Sequence, residues 1–159
     1  MSLTVRPMQP EEAEAVAAMV RGLAEHIGTS FVPKLTGEKL NAAHELIDVV
    51  VAEDDGKLLG ACLGLMTFST WRGAPGLYVV DLFVLPEARG KNIGLGLLRC
   101  SARRFARRGA QFIKLEVDET NPGAERFYAR LGFTKKTEDR LHILEQDDLM
   151  AFIRAGEGT

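Results

Sequence analysis

Cysteine is scarce: Cys62 and Cys100 are the two in 159 residues. They lack both the density of a disulfide scaffold and the close pairing of a zinc or redox site, so both read as buried, reduced thiols. The three histidines, His26, His44 and His142, show no metal-ligand spacing, and no metal is expected. No apolar run approaches the ~20 residues needed to span a bilayer, and the opening MSLTVRPMQPEEAEA lacks a basic-then-apolar signal pattern. No membrane partner is expected, and the cytoplasm is the expected compartment. Neither sign of charge is in excess: 20 Lys and Arg against 22 Asp and Glu leave a formal net charge of −2, without a global pull toward nucleic acid. Aromatic residues make up only 7%, with one Trp, so the interleaved aromatic and basic pattern of a nucleic-acid platform is absent as well, and no nucleic-acid partner is expected.

What is present is ordinary globular composition, 46% hydrophobic and 26% charged, enough to bury a core. The length suits one domain spanning residues 1–159. LTVRP reads as a strand and PEEAEAVAAMVRGLAEHIG as a helix with Val16, Val20, Leu23 and Ile27 on one face and Gly28 as its stop. Thr36 can cap a second helix through GEKLNAAHELI. A hairpin follows, DVVVAE and LLGACLGLMTF about the turn DDGK, then the loop STWRGAPG and the strand LYVVDLFVL. A helix over 93–108 would turn Leu95, Leu98, Ala102 and Phe105 inward and the stripe Arg99, Arg103 and Arg107 outward, a solvated face. QFIKLEV alternates as a strand. NPGAERFYARLGF is a compact helix, with Asn121 as cap, Pro122 first, Ala124, Phe127, Tyr128 and Leu131 inward and Gly132 as stop. LHILEQ reads as a last strand before a frayed tail, RAGEGT. The order is α/β, with a parallel strand–helix–strand crossover over 77–117.

Charge is uneven locally. Residues 88–115 hold eight Lys or Arg and no Asp or Glu. At the start of that window Arg89, Gly90, Lys91, Asn92, Ile93 and Gly94 make a glycine-containing turn into a helix. A helix N-terminus carries unpaired N–H groups and about half a positive charge, so such a turn can hold an anion; it can also be an ordinary glycine-tolerant helix start. Asn92 is the non-glycine type best suited to a positive φ. The turn matches neither GxxxxGK[ST] nor the dinucleotide GxGxxG context.

YVVDLFVLPEARGKNIGLGLL followed by EVDETNPGAERFYARLGF resembles the acyl-CoA-binding half of the GNAT superfamily of N-acetyltransferases. FSTWRGAPGLYVVDLFV and RLHILEQDDL are most similar to its diamine branch, the spermidine/spermine and thialysine type. The resemblance implies a mixed, mostly antiparallel sheet with a parallel crossover at the coenzyme site, helices on both faces, acetyl-CoA as co-substrate, a coenzyme-binding half near 77–133, and a homodimer. It implies coenzyme contacts from Leu82, Phe83 and Val84, from Arg89, Gly90, Lys91, Asn92, Ile93, Gly94 and Leu95, and from Asn121, Ala124 and Phe127. The chain departs from the branch at Asn92, where a glycine is usual, at Val80, where an acid is usual, and at Thr120, where a Trp is usual.

An amine must be neutral to attack a thioester, and an ammonium with a pKa near 10.4 is handicapped by roughly 4–5 kcal/mol at pH 7, so a proton acceptor helps. Asp81, on the strand the superfamily uses to line the acetyl group, is the first choice of base, and Glu116 on the neighbouring strand the second. The oxyanion is expected to meet a backbone N–H near 82–84, freed by a bulge. Tyr128 can protonate a departing thiolate of pKa about 8.5 at a cost of only ~2 kcal/mol. Trp71, with a cation–π face, and His26 are expected to line the acceptor site. The expected activity is acetyl transfer to a primary amine of a small molecule by direct attack in a ternary complex. The alternatives are a non-catalytic acyl-CoA-binding or regulatory module and a protein N-acetyltransferase.

Overall fold

The structure, a computed structural model, describes residues 2–26 and 30–155. Ile27 and Gly28, expected to finish and stop the first helix, the side chain of His26, and the end of the expected frayed tail lie outside the described residues. The chain divides into two compact units, Met1–Glu116 and Val117–Thr159.

The first unit runs β1 (Leu3–Pro7), a 3₁₀ turn (Pro10–Glu12), α1 (Ala13–His26), α2 (Gly37–Ala42), β2 (Asp48–Asp54), β3 (Lys57–Ser69), β4 (Ala74–Val84), a second 3₁₀ turn (Pro86–Ala88), α3 (Ile93–Ala106) and β5 (Ile113–Leu115). The sheet has the order β1-β2-β3-β4-β5, antiparallel except for the parallel β4–β5 pair joined through α3. Local chemistry sets the joints. The Thr36 hydroxyl accepts from Lys39 N–H at 3.2 Å and starts α2. Asp55 and Gly56 both have positive φ, 51° and 82°, the two-residue hairpin turn whose twist matches its strands. Arg6 binds Glu12 at 2.6 Å and Glu53 at 2.8 Å, tying β1 to the turn before α1 and to β2.

Helices cover both faces. Ala61, Leu63 and Phe83 pack with Ala13, Val16 and Leu40 of α1 and α2. Gly60, adjacent to Ala61 and so pointing the other way, lies under α3: a Cβ there would come 3.2 Å from the Leu97 side chain and 2.5 Å from the Phe83 carbonyl. α3 buries Ile93, Leu97, Leu98, Ser101 and Phe105, with Leu95 and Ala102 only half-buried, so its inward stripe is rotated from the expected one. Phe105 is the largest fully buried side chain; Phe105→Ala should cost about 3–5 kcal/mol in chemical denaturation. Cys62 is fully buried and burial pushes its thiol up to about 12, which keeps it protonated and inert. Three elements differ from expectation. α2 stops at Ala42 because the chain tightens beyond it, with Leu46 N–H on Ala43 O at 2.8 Å. β4 begins at Ala74 and absorbs much of the expected loop, leaving Trp71 at a hairpin tip. β5 has only three paired residues.

In the second unit, the Asn121 side chain accepts from Ala124 N–H at 3.1 Å and caps α4 (Pro122–Arg130). LHILEQ is not a strand. Among the described residues the unit offers it no strand to pair with, and an extended segment alone leaves its peptide groups unpaired. Residues 141–145 are irregular, and α5 (Gln146–Ala155) follows them, with Asp147 and Asp148 in its first turn and Arg154 in its last, as the helix dipole favours. No helix among the described residues is long and apolar enough to cross a membrane.

Candidate active site

The centre of the site is an irregularity in β4. Leu63 of β3 lies opposite Asp81, and the next β3 residue, Gly64, lies opposite Val79. Val80 is therefore an extra residue, a β-bulge. On its other edge β4 pairs with β5 only through Leu77, Tyr78 and Val79. From Val80 to Val84 that edge has no ladder partner among the described residues. Peptide groups alternate between the two edges of a strand: those of Leu82 and Val84 face this open edge and suit an extended, amide-bearing arm, whereas those of Phe83, expected to join them, face β3. The bulge expected near 82–84 sits at Val80, and it does more than free backbone. Residues three apart on a regular strand face opposite ways; the bulge puts Tyr78 and Asp81 on one face.

The turn before α3 follows directly. Gly90 has φ +81° and Asn92 is left-handed at φ 60°, ψ 21°. Asn92 occupies the cap position but its side chain caps nothing, and the first helical bond is Gly96 N–H on Asn92 O at 3.1 Å. The N–H groups of Ile93, Gly94 and Leu95 precede that bond. An ordinary helix start would use Asn92 as a capping acceptor; here Asn92 is spent on backbone conformation and the helix end stays open. A Cβ built on Gly90 would meet nothing within 4 Å, so there is room at the turn. Arg89 and Lys91 are exposed beside it, and Arg89 Nε donates to Val84 O at 3.3 Å, tying the turn to the open strand edge. These groups fit a phosphorylated coenzyme with an amide-bearing arm. The arginines at the other end of α3 do not belong to this feature: 14 helical residues set them about 20 Å away, and Arg104 there is bound to Asp48 through two contacts, 2.9 and 2.6 Å.

Asp81 is half-buried, and burial lifts its carboxyl to about 6; among the described residues no cation or hydrogen bond offsets it. Such a group is ionised above neutrality yet still basic enough to take a proton. Tyr78 is held above its ordinary range, first by burial and then by the nearby Glu116 carboxylate. Lys114 Nζ lies 5.3 Å from the Tyr78 ring centre. Glu116, the second choice of base, is exposed and lies beside Tyr78. Tyr78 went unnoticed in the sequence, where its spacing from Asp81 points it to the wrong face.

The remaining expected residues lie elsewhere. Trp71 is 98% exposed at the β3–β4 tip, more than ~20 Å along β4 from Asp81, so the structure does not bring these two together. Asn121, Ala124, Phe127 and Tyr128 belong to the second unit. There Tyr128 is half-buried, its ring 5.1 Å from Phe127 edge-on and 5.3 Å from Phe133. Among the described residues no group of three His, Cys, Asp or Glu could hold a metal.

Comparison with known proteins agrees with this geometry. The profile described as the Acetyltransferase (GNAT) family matches residues 20–133. The thialysine N-epsilon-acetyltransferase of Mus musculus is 28% identical, covering 86% of this chain and 87% of the relative. That of Sus scrofa is 30% identical over the same shares. N-alpha-acetyltransferase 30 of Schizosaccharomyces pombe is 32% identical over 65% of this chain and 68% of its own. An integron cassette protein from the mobile metagenome of V. cholerae has the same fold at a TM-score of 0.79 and 22% identity, covering 97% and 99% of the two chains. An aminoglycoside acetyltransferase from an uncultured soil metagenomic sample, solved with sisomicin, shares the fold at a TM-score of 0.71 and 17% identity, covering 91% and 95%. The chain belongs to the GNAT acetyltransferase family and is an acetyl-CoA-dependent N-acetyltransferase.

Proposed function

We propose that the acceptor is the primary amine of a small molecule, acetylated by direct attack in a ternary complex. The observation that carries this reading is Asp81, a half-buried carboxylate with no partner among the described residues, on the open-edged part of β4. Bound acetyl-CoA supplies the activated acetyl group. The N–H groups of Ile93, Gly94 and Leu95, with Arg89 and Lys91, hold its phosphates, and the open edge at Leu82 and Val84, flanking Phe83, binds its amide arm, with Asn121, Ala124 and Phe127 as further coenzyme contacts. Asp81 takes the ammonium proton, which makes the amine a nucleophile. Tyr128 gives a proton to the departing thiolate. The thialysine enzymes among the relatives support a small amine. The fission-yeast N-alpha-acetyltransferase supports a second reading, acetylation of protein N-termini. The whole chain is proposed to act as one domain in a cytoplasmic homodimer; the exposed Leu149, Met150, Phe152 and Ile153 of α5 support self-association.

The test is thiol release from acetyl-CoA with a panel of small amines and N-terminal peptides. Turnover of small amines alone supports the reading, turnover of peptides alone replaces it with the second, and coenzyme binding without turnover of either would leave a non-catalytic module. Tyr128→Phe is expected to lower kcat about 10²-fold, the low end for a general acid, because a thiolate leaves tolerably well unassisted. The loss should ease with activated thioesters whose thiols are more acidic. A uniform loss across thioesters would assign Tyr128 to packing against Phe127 and Phe133.

A further inference from the structure

The sheet face on which Asp81 of β4 lies also carries a cation, Lys114 of β5, and that cation lies outside every role assigned above. Tyr78 stands directly opposite Lys114 in the β4–β5 register. The Lys114 ammonium is 5.3 Å from the Tyr78 ring centre, close enough for the ring to hold it by cation–π attraction. Glu116, two residues further and so on the same face as Lys114, lies close enough to Tyr78 to raise its pKa and forms no ion pair with Lys114 among the described residues. The Val80 bulge brings Asp81 onto this face with Tyr78. With one residue discounted as the bulge, Asp81 and Tyr78 are separated as next neighbours on a strand face, about 7 Å. The result is a pair of opposite charges with different freedom: Asp81 faces an incoming amine, and Lys114 is held one step along the same face.

We propose that Lys114, held on the Tyr78 ring, selects the acceptor by charge: it favours an amine whose far end is a carboxylate and disfavours a diamine. The proposal rests on the acetyltransferase reading of this site and goes beyond it by naming the acceptor's second group and the residue that reads it. An acceptor whose amine is at Asp81 and whose chain is four or five carbons long brings its other end to Lys114. A carboxylate there meets a fixed positive charge. A second ammonium there meets like charge, and the aromatic face that could have held it is already occupied.

The experiment uses three acceptors with the same aminopentyl reach: 5-aminopentanoate, pentylamine and 1,5-diaminopentane. Thiol release is measured for the intact chain, for Lys114→Met and for Lys114→Glu. The unmodified protein should show kcat/KM in the order aminopentanoate, pentylamine, diaminopentane, each step on the order of tenfold for one charge pair near the surface. Lys114→Met should bring the three together, and Lys114→Glu should reverse their order while pentylamine stays nearly constant. Lys114 is exposed, so neither change threatens folding, and the pentylamine rate reports it if one does. Equal preference in all three proteins, with turnover intact, overturns the selector. Acetyl-CoA binding by calorimetry without turnover of any amine overturns the acceptor reading beneath it as well.

Discussion

Asp81→Asn is expected to lower kcat/KM at pH 7 by 10²- to 10⁴-fold, the usual worth of a positioned base, and to change the shape of the pH profile. Since burial sets the Asp81 pKa at about 6, the unmodified enzyme with an ammonium acceptor should gain activity up to pH about 6 and then level off. Without the carboxylate, only acceptor already neutral in solution can react, so the variant's rate should climb about tenfold per pH unit from 7 toward the amine pKa near 10.4. A variant with the same plateau as its parent would show that Asp81 is not the base. Stability should move in the opposite direction. A carboxyl whose pKa is raised by folding binds its proton more tightly in the folded state than in the unfolded one. Ionisation therefore costs stability as pH rises from about 4 through about 6, and the loss is complete above that. Asp81→Asn should be more stable than its parent at pH 8, by about 1–3 kcal/mol, and indistinguishable below pH 4, as read by urea denaturation.

Gly94→Glu is expected to weaken acetyl-CoA binding by about 10²-fold or more in calorimetric titration, because it fixes an anion where the open N–H groups of α3 would meet the coenzyme's phosphates. Gly94 is the second residue of α3, and a Cβ there meets only the Val84 side chain at an ordinary 3.6 Å. Replacing a helical glycine by Glu in the first turn removes about 1 kcal/mol of propensity cost and adds 0.3–1 kcal/mol through the dipole. The variant should therefore melt higher while binding less. Unchanged affinity in a protein that melts higher would mean that the turn is a helix start and nothing more.

The parts of the site legible in sequence are those set by local chemistry. The turn from Arg89 to Gly94 could be read because a positive φ has a short list of residues that accept it, and Asn92 is on that list; the caps at Thr36 and Asn121 could be read because their partners lie three residues on. Tyr78 could not, because the bulge that turns it toward Asp81 is decided by the pairing with Leu63 and Gly64, some fifteen residues back along the chain. The rotation of α3 had the same origin. Leu95 and Leu97 are equally apolar, and it is Leu97 that fills the space left by Gly60 on β3. LHILEQ shows the converse: alternating apolar residues imply a strand only if a partner strand exists, and residues 141–145 stay irregular ahead of α5.

The stretch of eight basic residues without an acidic one bears on the speed of encounter as well as on affinity. A polyanion approaching a chain of net charge −2 is repelled at long range; within a Debye length, about 8 Å at physiological ionic strength, it responds to the local field instead. α3 has no acid in its first turn and has Arg103 and Arg104 in its last, so arginines offset the negative pole while the positive pole remains exposed. Such a helix acts as a one-ended electrostatic guide: it captures and orients a diffusing anion at Asn92 before any contact forms, and salt slows that capture more than it speeds release.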